Sequence, residues 1–255
     1  MLTGVSKTAL GVARVRAFES RRPDRLFDDS LAQRFVDAAP DAFPVDGPMT
    51  TIGAVFHHHA VIRTRFLDDF LLASECRQVV LLAAGLDTRA FRLDWPDGTT
   101  LFEADLPEVF AFKDALLSDE VPRCDRRVVA MDLRDDWNLP GFDATKPTAW
   151  VAEGLLIYLD EAETDTLLSK VDQLSAPGSE IAFERGLGDS ELLKKARDLP
   201  GVSEYSKLWK GGLDTGRWLT GHGWRTHDHD GRALAERWGR VVPEGSAGGF
   251  LTATK

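Results

Sequence analysis

The sequence predicts an α/β protein: a doubly wound, mostly parallel, seven-stranded sheet preceded by an N-terminal helical cap. Three observations predict it. Short apolar runs recur from Arg77 onward. Stretches with helical periodicity fit between them. The first 75 residues lack the strand pattern and read as helices. Strands alternating with helices imply right-handed crossovers and a parallel sheet covered on both faces.

The elements follow in order. Residues 8–18 carry apolar side chains at helical spacing, and 29–38 (DSLAQRFVDA) form a short amphipathic stretch. A loop rich in Pro, Gly and Asp spans 39–51. The helix expected over 52–74 is the strongest of the three, with Val55, Ile62, Phe66, Leu67, Phe70 and Leu71 on its apolar face. Strands are expected at 78–83, 100–104, 127–131, 148–152 and 180–184, the last after the Pro177-Gly178 turn. Two weaker strands are expected at 223–226 and 249–254. Helices are expected at 106–118, 160–173 and 189–198. The whole chain reads as one domain, 1–255: a cap over 1–75, then a sheet core over 76–255 in which 186–222 is a substrate-side insertion. Tyr205, Trp209 and Trp218 suit that insertion to walling an apolar pocket.

Bulk properties narrow the function. Of 255 residues, 43% are hydrophobic and 28% charged, as in a soluble globular protein. A net charge of -10 with scattered Lys and Arg argues against nucleic acid as a partner. No apolar run approaches the ~20 residues of a membrane span. Arginines interrupt the N-terminal stretch where a signal peptide needs its apolar core, so a cytoplasmic protein is expected. Cys76 and Cys124 lack metal-type spacing and are expected to be free thiols. His57, His58 and His59 are adjacent, and only side chains three or four apart share a helix face, so no metal site is expected there.

In doubly wound folds the ligand lies beyond the carboxyl ends of the strands. The first such turn reads Ala83-Ala84-Gly85-Leu86-Asp87-Thr88. It has neither G-x-G-x-x-G nor a P-loop ending, which disfavours a pyrophosphate ligand and a nicotinamide-dependent oxidoreductase. The second strand ends Phe102-Glu103-Ala104-Asp105-Leu106-Pro107, where an acid can accept both ribose hydroxyls or Asp105 can cap the next helix. The third ends Met131-Asp132-Leu133, where an Asp can accept an adenine amine while Leu133 packs on the ring. After the fourth, Glu153-Gly154-Leu155-Leu156 stands where base methylases place an Asp/Asn-Pro-Pro turn.

Taken together, RTRFLDDFL, QVVLLAAGLDTRAFRLDWP, FEADLP, MDLR and WVAEGLLIYL resemble the leucine carboxyl methyltransferase family. The bacterial branch that includes polyketide O-methyltransferases is the more similar one. The resemblance runs from about Gly4 to Glu161, and more loosely to the C-terminus. It implies a class I methyltransferase, Rossmann-like fold with S-adenosyl-L-methionine as cofactor. It also implies site roles. Arg63 would hold the methionine carboxylate, with Arg65 second. Ala83 and Gly85 lie on the glycine turn, Asp105 matches the ribose acid, and Asp132 with Leu133 match the adenine contacts. Glu153 matches an acid near the methionine end, and Lys7 a basic residue of the cap. The family's first turn glycine is Ala83 here, which bears on cofactor affinity and leaves a cofactor-binding but inactive homologue as an alternative. The expected reaction is methyl transfer to a carboxylate or hydroxyl oxygen of a small molecule. Carboxyl methylation of a protein C-terminus is the other alternative. No catalytic residue is assigned. A carboxylate acceptor needs no base, and His222, His227 and His229 are the available bases for a hydroxyl.

Overall fold

The apolar runs become strands because their side chains have sheet neighbours and helices on both faces. β1 (Gln78–Leu82) and β4 (Thr148–Ala152) are buried at every position, as central parallel strands are. The computed structural model describes residues 6–42, 51–185, 210, 212–246 and 248–255. Its N-terminal helices are α1 (Ser6–Ser20), α2 (Ala32–Asp37) and α3 (Thr51–Ala73). After β1 come α4 (Arg89–Arg92), β2 (Thr100–Asp105), α5 (Pro107–Leu116) and β3 (Asp125–Ala130). After β4 come α6 (Glu161–Gln173), β5 (Glu180–Arg185), α7 (Thr215–Gly221), β6 (Arg225–Asp230), α8 (Gly231–Arg237) and β7 (Gly249–Thr254).

The seven strands form one sheet in the order β3-β2-β1-β4-β5-β7-β6. The first five are parallel, and β7 runs antiparallel between β5 and β6. The order reverses between β1 and β4, and this switch point opens a crevice at the carboxyl ends of both. Successive side chains of β1 serve opposite faces. Val79 and Leu81 pack with Leu10, Ala13, Phe35, Ile62 and Leu67 of the N-terminal helices. Val80 and Leu82 pack with Trp150, Leu168, Phe183 and Trp218.

The boundaries differ from expectation where burial is one-sided or absent. β3 starts at Asp125 and is largely exposed, being an edge strand. β6 covers RTHDHD rather than 223–226. Its polar side chains give no apolar signal, and it is held in the sheet by its antiparallel pairing with β7. α7 and α8 are short and depend on caps. Asp214 accepts from the Arg217 N–H, and Asp230 accepts from the N–H groups of Arg232 and Ala233. The helix expected over 189–198, Tyr205, Trp209 and the Lys7 side chain lie outside the described residues. Trp218 is buried and donates through Nε1 to Asp165 Oδ1 at 2.6 Å.

Glu103, an alternative acid at the end of the second strand, turns into the protein. It accepts from Lys113 Nζ at 2.8 Å and from Arg126 Nη2 at 2.7 Å, with Glu103 and Lys113 both fully buried. The histidine triplet splays. His57 meets Phe18 edge-on at 5.4 Å, His58 lines a cavity, and His59 stacks on Phe250 at 5.7 Å. Among the described residues no cluster of three His, Cys, Asp or Glu side chains could hold a metal ion. Cys76 and Cys124 are both free. No described helix is long and apolar enough to cross a membrane.

Two stability predictions follow from buried charge. Lys113→Ala leaves Glu103 with Arg126 alone and is expected to cost about 3 kcal/mol in urea denaturation; a loss under about 1 kcal/mol would show that Arg126 suffices. Burial lowers the His59 pKa to about 3, so this imidazole stays neutral in the folded state while the unfolded chain takes up a proton near 6.5. The stability His59 contributes is therefore complete above pH 6.5 and is lost as pH falls toward 3. His59→Phe keeps the ring against Phe250 and should reduce the slope of stability against pH between 6.5 and 5 by up to about 1.4 kcal/mol per unit. Burial lowers His57 and His58 in the same direction, so a residual slope is expected. An unchanged slope in the variant would mean that His59 is not the residue responsible.

Candidate active site

The turn after β1 is held in a left-handed shape. Ala83 has φ 54° and Gly85 φ 53°. At Ala83 this costs roughly 1 kcal/mol, because its Cβ crowds the carbonyl. Neighbouring bonds impose it. Ala84 N–H donates to Ala104 O at 3.0 Å, and Gly85 N–H to Asp105 Oδ2 at 2.6 Å. Asp105 Oδ1 accepts from Leu106 N–H at 2.6 Å. The residue before α5 is Leu106, and no side chain caps that helix. Asp105 therefore ties the end of β2 to the first turn instead of capping α5. Burial pushes its carboxyl up, against the pull of the two N–H donors.

Helix α1 lies over this turn. A Cβ on Gly85 would sit 3.5 Å from Ala9 Cβ. Arg16 donates through Nη2 to Leu86 O at 2.5 Å and through Nε to Asp29 Oδ2 at 2.7 Å. Tyr158, beyond β4, donates its hydroxyl to Thr8 Oγ1 at 3.3 Å. Leu10, Ala13 and Ala17 are buried, so this helix is a part of the core as well as a cover.

An ion cluster fills the switch point. Glu153, just after β4, accepts from Arg63 Nε at 3.0 Å through Oε1 and from Arg89 Nη1 at 2.8 Å through Oε2. Arg89 is 2% exposed and also binds Asp87 and Asp68, the latter at 2.7 Å. Arg92 joins Asp68 at 2.7 Å. Burial alone would raise the Glu153 carboxyl, but Arg89 and Arg63 overcome it and hold the group well below the ordinary carboxylate range. Glu184, at the end of β5, brings Oε1 to 3.5 Å from Arg63 Nη1. Arg65 turns elsewhere, to Asp69 at 2.9 Å and Leu26 O at 2.8 Å.

Of the residues expected at the site, Arg63 and Glu153 meet, and Ala83, Gly85 and Asp105 form one turn. Asp132 stands apart, just past β3. It accepts from the Arg134 backbone N–H at 3.0 Å and pairs with the Arg134 guanidinium, which lowers its pKa. Leu133 is partly buried against the core on the Trp150 face of the sheet. Arg89, Arg16 and Glu184 were not among the expected residues. Arg89 stands inside the quoted LDTRAF string, and Glu184 ends a predicted strand, where the acids of the second strand had already been considered.

The histidines considered as bases have other partners. His222 Nδ1 lies 2.8 Å from Trp218 O, and its ring stacks on Trp218 at 3.7 Å. His229 Nε2 lies 2.9 Å from Thr252 Oγ1, and His227 meets the His229 ring at 4.5 Å. One helical turn before Arg63 on α3, a cavity of about 280 Å³ is lined by Val55, His58, His59, Ile62, Arg232 and Phe250, among others.

Comparison with known proteins bears on the family and the fold. A relative from Parafrankia sp. is 46% identical over an alignment covering 99% of this chain and 87% of its own length. One from Frankia alni is 46% identical, covering 99% and 95%. Both bear the name of S-adenosyl-L-methionine-dependent methyltransferases. A DUF574 family protein from Streptomyces avermitilis superposes with a TM-score of 0.61 at 15% identity, covering 95% of this chain and 96% of that one. A structure described as a methyltransferase from Thermobifida fusca gives 0.53 at 16% identity, covering 95% and 94%. These two likenesses establish the fold, that of the class I methyltransferases. The family model for leucine carboxyl methyltransferase matches residues 9–172. The chain belongs to the leucine carboxyl methyltransferase family, whose members use S-adenosyl-L-methionine as methyl donor.

Proposed function

We propose that this protein transfers the methyl group of S-adenosyl-L-methionine to an oxygen of a small molecule, in a single domain whose N-terminal cap walls the site. One observation carries the reading: Arg63 and its acids lie at the switch point, beside a turn fastened by Asp105 and lacking a phosphate-binding pattern. A guanidinium suits an amino-acid carboxylate, and a carboxylate at the end of β2 suits a ribose. A ligand with an amino-acid tail, a nucleoside and no phosphate satisfies both.

In this reading Arg63 binds the methionine carboxylate and Glu153 sets the guanidinium in place. Ala83 and Gly85 offer the backbone to the cofactor, and Asp105 takes the ribose. Asp132 takes the adenine amine, with Leu133 against the ring. The cofactor supplies a methyl group on a good leaving group, so the chain's task is alignment, which can contribute ~7–11 kcal/mol. The cavity lined by Val55, Ile62 and Phe250 is the proposed acceptor pocket, with Arg232 and Asp230 both exposed at its wall. A carboxylate acceptor is ionised at neutral pH and needs no base. That suits a site whose His59 is too weak a base to serve.

Isothermal titration with S-adenosyl-L-methionine tests the cofactor roles. Asp105→Ala is expected to weaken binding by about 2 kcal/mol, since a charged acceptor of hydroxyl hydrogen bonds is lost. Arg63→Lys keeps the charge but loses the fork, and about a tenfold loss is expected. Wild-type affinity in both variants would overturn the assignment. Labelled transfer to a panel of small carboxylic acids and phenols tests the acceptor. Methyl esters release the label in mild alkali and aryl ethers do not; an alkali-stable label would exclude the carboxylate reading.

A further inference from the structure

We propose that two copies of this chain pair through the outer edge of β3, antiparallel about a two-fold axis at Val128, so that their sheets continue into one. The proposal is independent of the methyl-transfer reading. β3 ends the sheet, and no described strand pairs with its outer side. Such an edge is a template for another strand unless something blunts it. The usual devices are missing: Asp125–Ala130 contains no proline and no lysine, and its register with β2 runs without a bulge.

The backbone decides which residues can meet. Asp125 N–H donates to Thr99 O at 3.0 Å and Met131 N–H to Asp105 O at 2.8 Å, so the odd-numbered residues of β3 bond to β2. The N–H and C=O groups of Arg126, Val128 and Ala130 therefore point outward. Arg126 N–H turns back to Cys124 O at 2.9 Å; Val128 and Ala130 have no such bond among the described residues. In a self-pairing, outward residues must oppose outward residues. Two registers then match five residues of the strand, one centred on Arg127 and one on Val128. The first sets Arg127 against its own copy, and like charges directly opposed repel. The second sets Val128 against Val128, Arg126 against Ala130 and Arg127 against Val129, with no like charges opposed.

The side chains agree. Val128 is 40% exposed, and Val121, just before the strand, is 81% exposed. They are two of the five large apolar side chains that stand exposed among the described residues, and pairing covers Val128. Charge sets the direction. Residues 123–127 carry three arginines and one aspartate, and residues 132–136 carry three aspartates and one arginine. Antiparallel pairing lays the basic end of each strand beside the acidic end of the other. Several of these charges also have partners in their own chain, as Arg123 has Asp94 and Asp136 has Lys170, so the match sets orientation more than strength.

The opposite edge of the sheet suits a second copy less. The registers centred within β6 (RTHDHD) set His227 or Asp228 against its own copy, and its polar side chains gain little from being covered. Joining β3 of one copy to β6 of another would be head-to-tail and would build a ring or a filament. Two-fold pairing through β3 closes at two chains.

The test is sedimentation of the full chain over roughly 1 μM to 1 mM. Wild type is expected to pass from the mass of one chain to twice that mass. V128D and V128K each place like charges at the two-fold axis, and each alone should dimerise about tenfold more weakly. Mixed in equal amounts they should recover the dimer, because opposite charges then face each other. A variant that had lost its fold could not produce that recovery. V128P removes the outward N–H while leaving the bonds to β2, and should weaken the dimer to a similar degree. A wild type that stays monomeric throughout overturns the proposal. So does V128K dimerising as wild type does, or a V128D and V128K mixture that associates no better than either alone.

Discussion

Everything at the site depends on keeping Arg89 charged inside the protein. Its guanidinium is 2% exposed and touches Asp68 on α3, Asp87 in the first turn and Glu153 after β4. An unpaired charge in that position would be prohibitive, so these three segments have to converge. Their convergence sets the rest. It places the second half of α3, which carries Arg63 and Asp68, over the carboxyl ends of β1 and β4, and it aims Arg63 at the same crevice through the shared Glu153. The cluster is thus a positional clamp in which desolvation enforces geometry. Ion pairs of this kind contribute little net stability, but each becomes expensive to break singly.

The helical cap and the sheet meet through the same logic. Arg16 leaves α1 to reach Asp29 and the Leu86 carbonyl, so a helix from the first twenty residues is bonded to the turn that follows β1. Apolar contact alone could let α1 slide along its neighbours; a buried directional bond cannot slide. Ala9 is small enough to lie directly on Gly85. The roof of the site is therefore set by two features of α1: one small side chain and one long charged one.

Much of this was legible in the sequence, for particular reasons. β1, β4 and β5 were readable because burial on both faces writes continuous apolar runs. β6 was not, because RTHDHD is a polar strand that gives no apolar signal. Asp105 was marked as a candidate by its place at a strand end. The resemblance had already preferred Asp105 to Glu103, and the structure adds a physical reason, since Glu103 turns inward to Lys113 and Arg126. The ion cluster was beyond reach. The resemblance had put Arg63 and Glu153 at one end of the cofactor, but nothing in the spacing of Arg16, Asp29, Asp68 and Arg89 announces that they join them.

Ala83 adopts the backbone shape that a glycine would take at this turn. The methyl group was considered above as a steric matter, but it also acts on the unfolded chain. A glycine roams more of conformational space than an alanine, and freezing it costs more entropy. With alanine, strain in the folded turn is only partly offset by a smaller loss of freedom on reaching it. The turn is also stiffer once formed, because the alternatives open to glycine are closed to it. A cradle that is already rigid gives up less motion when a ligand arrives. The substitution thus trades adaptability for readiness, and favours a ligand whose outline matches the turn without adjustment.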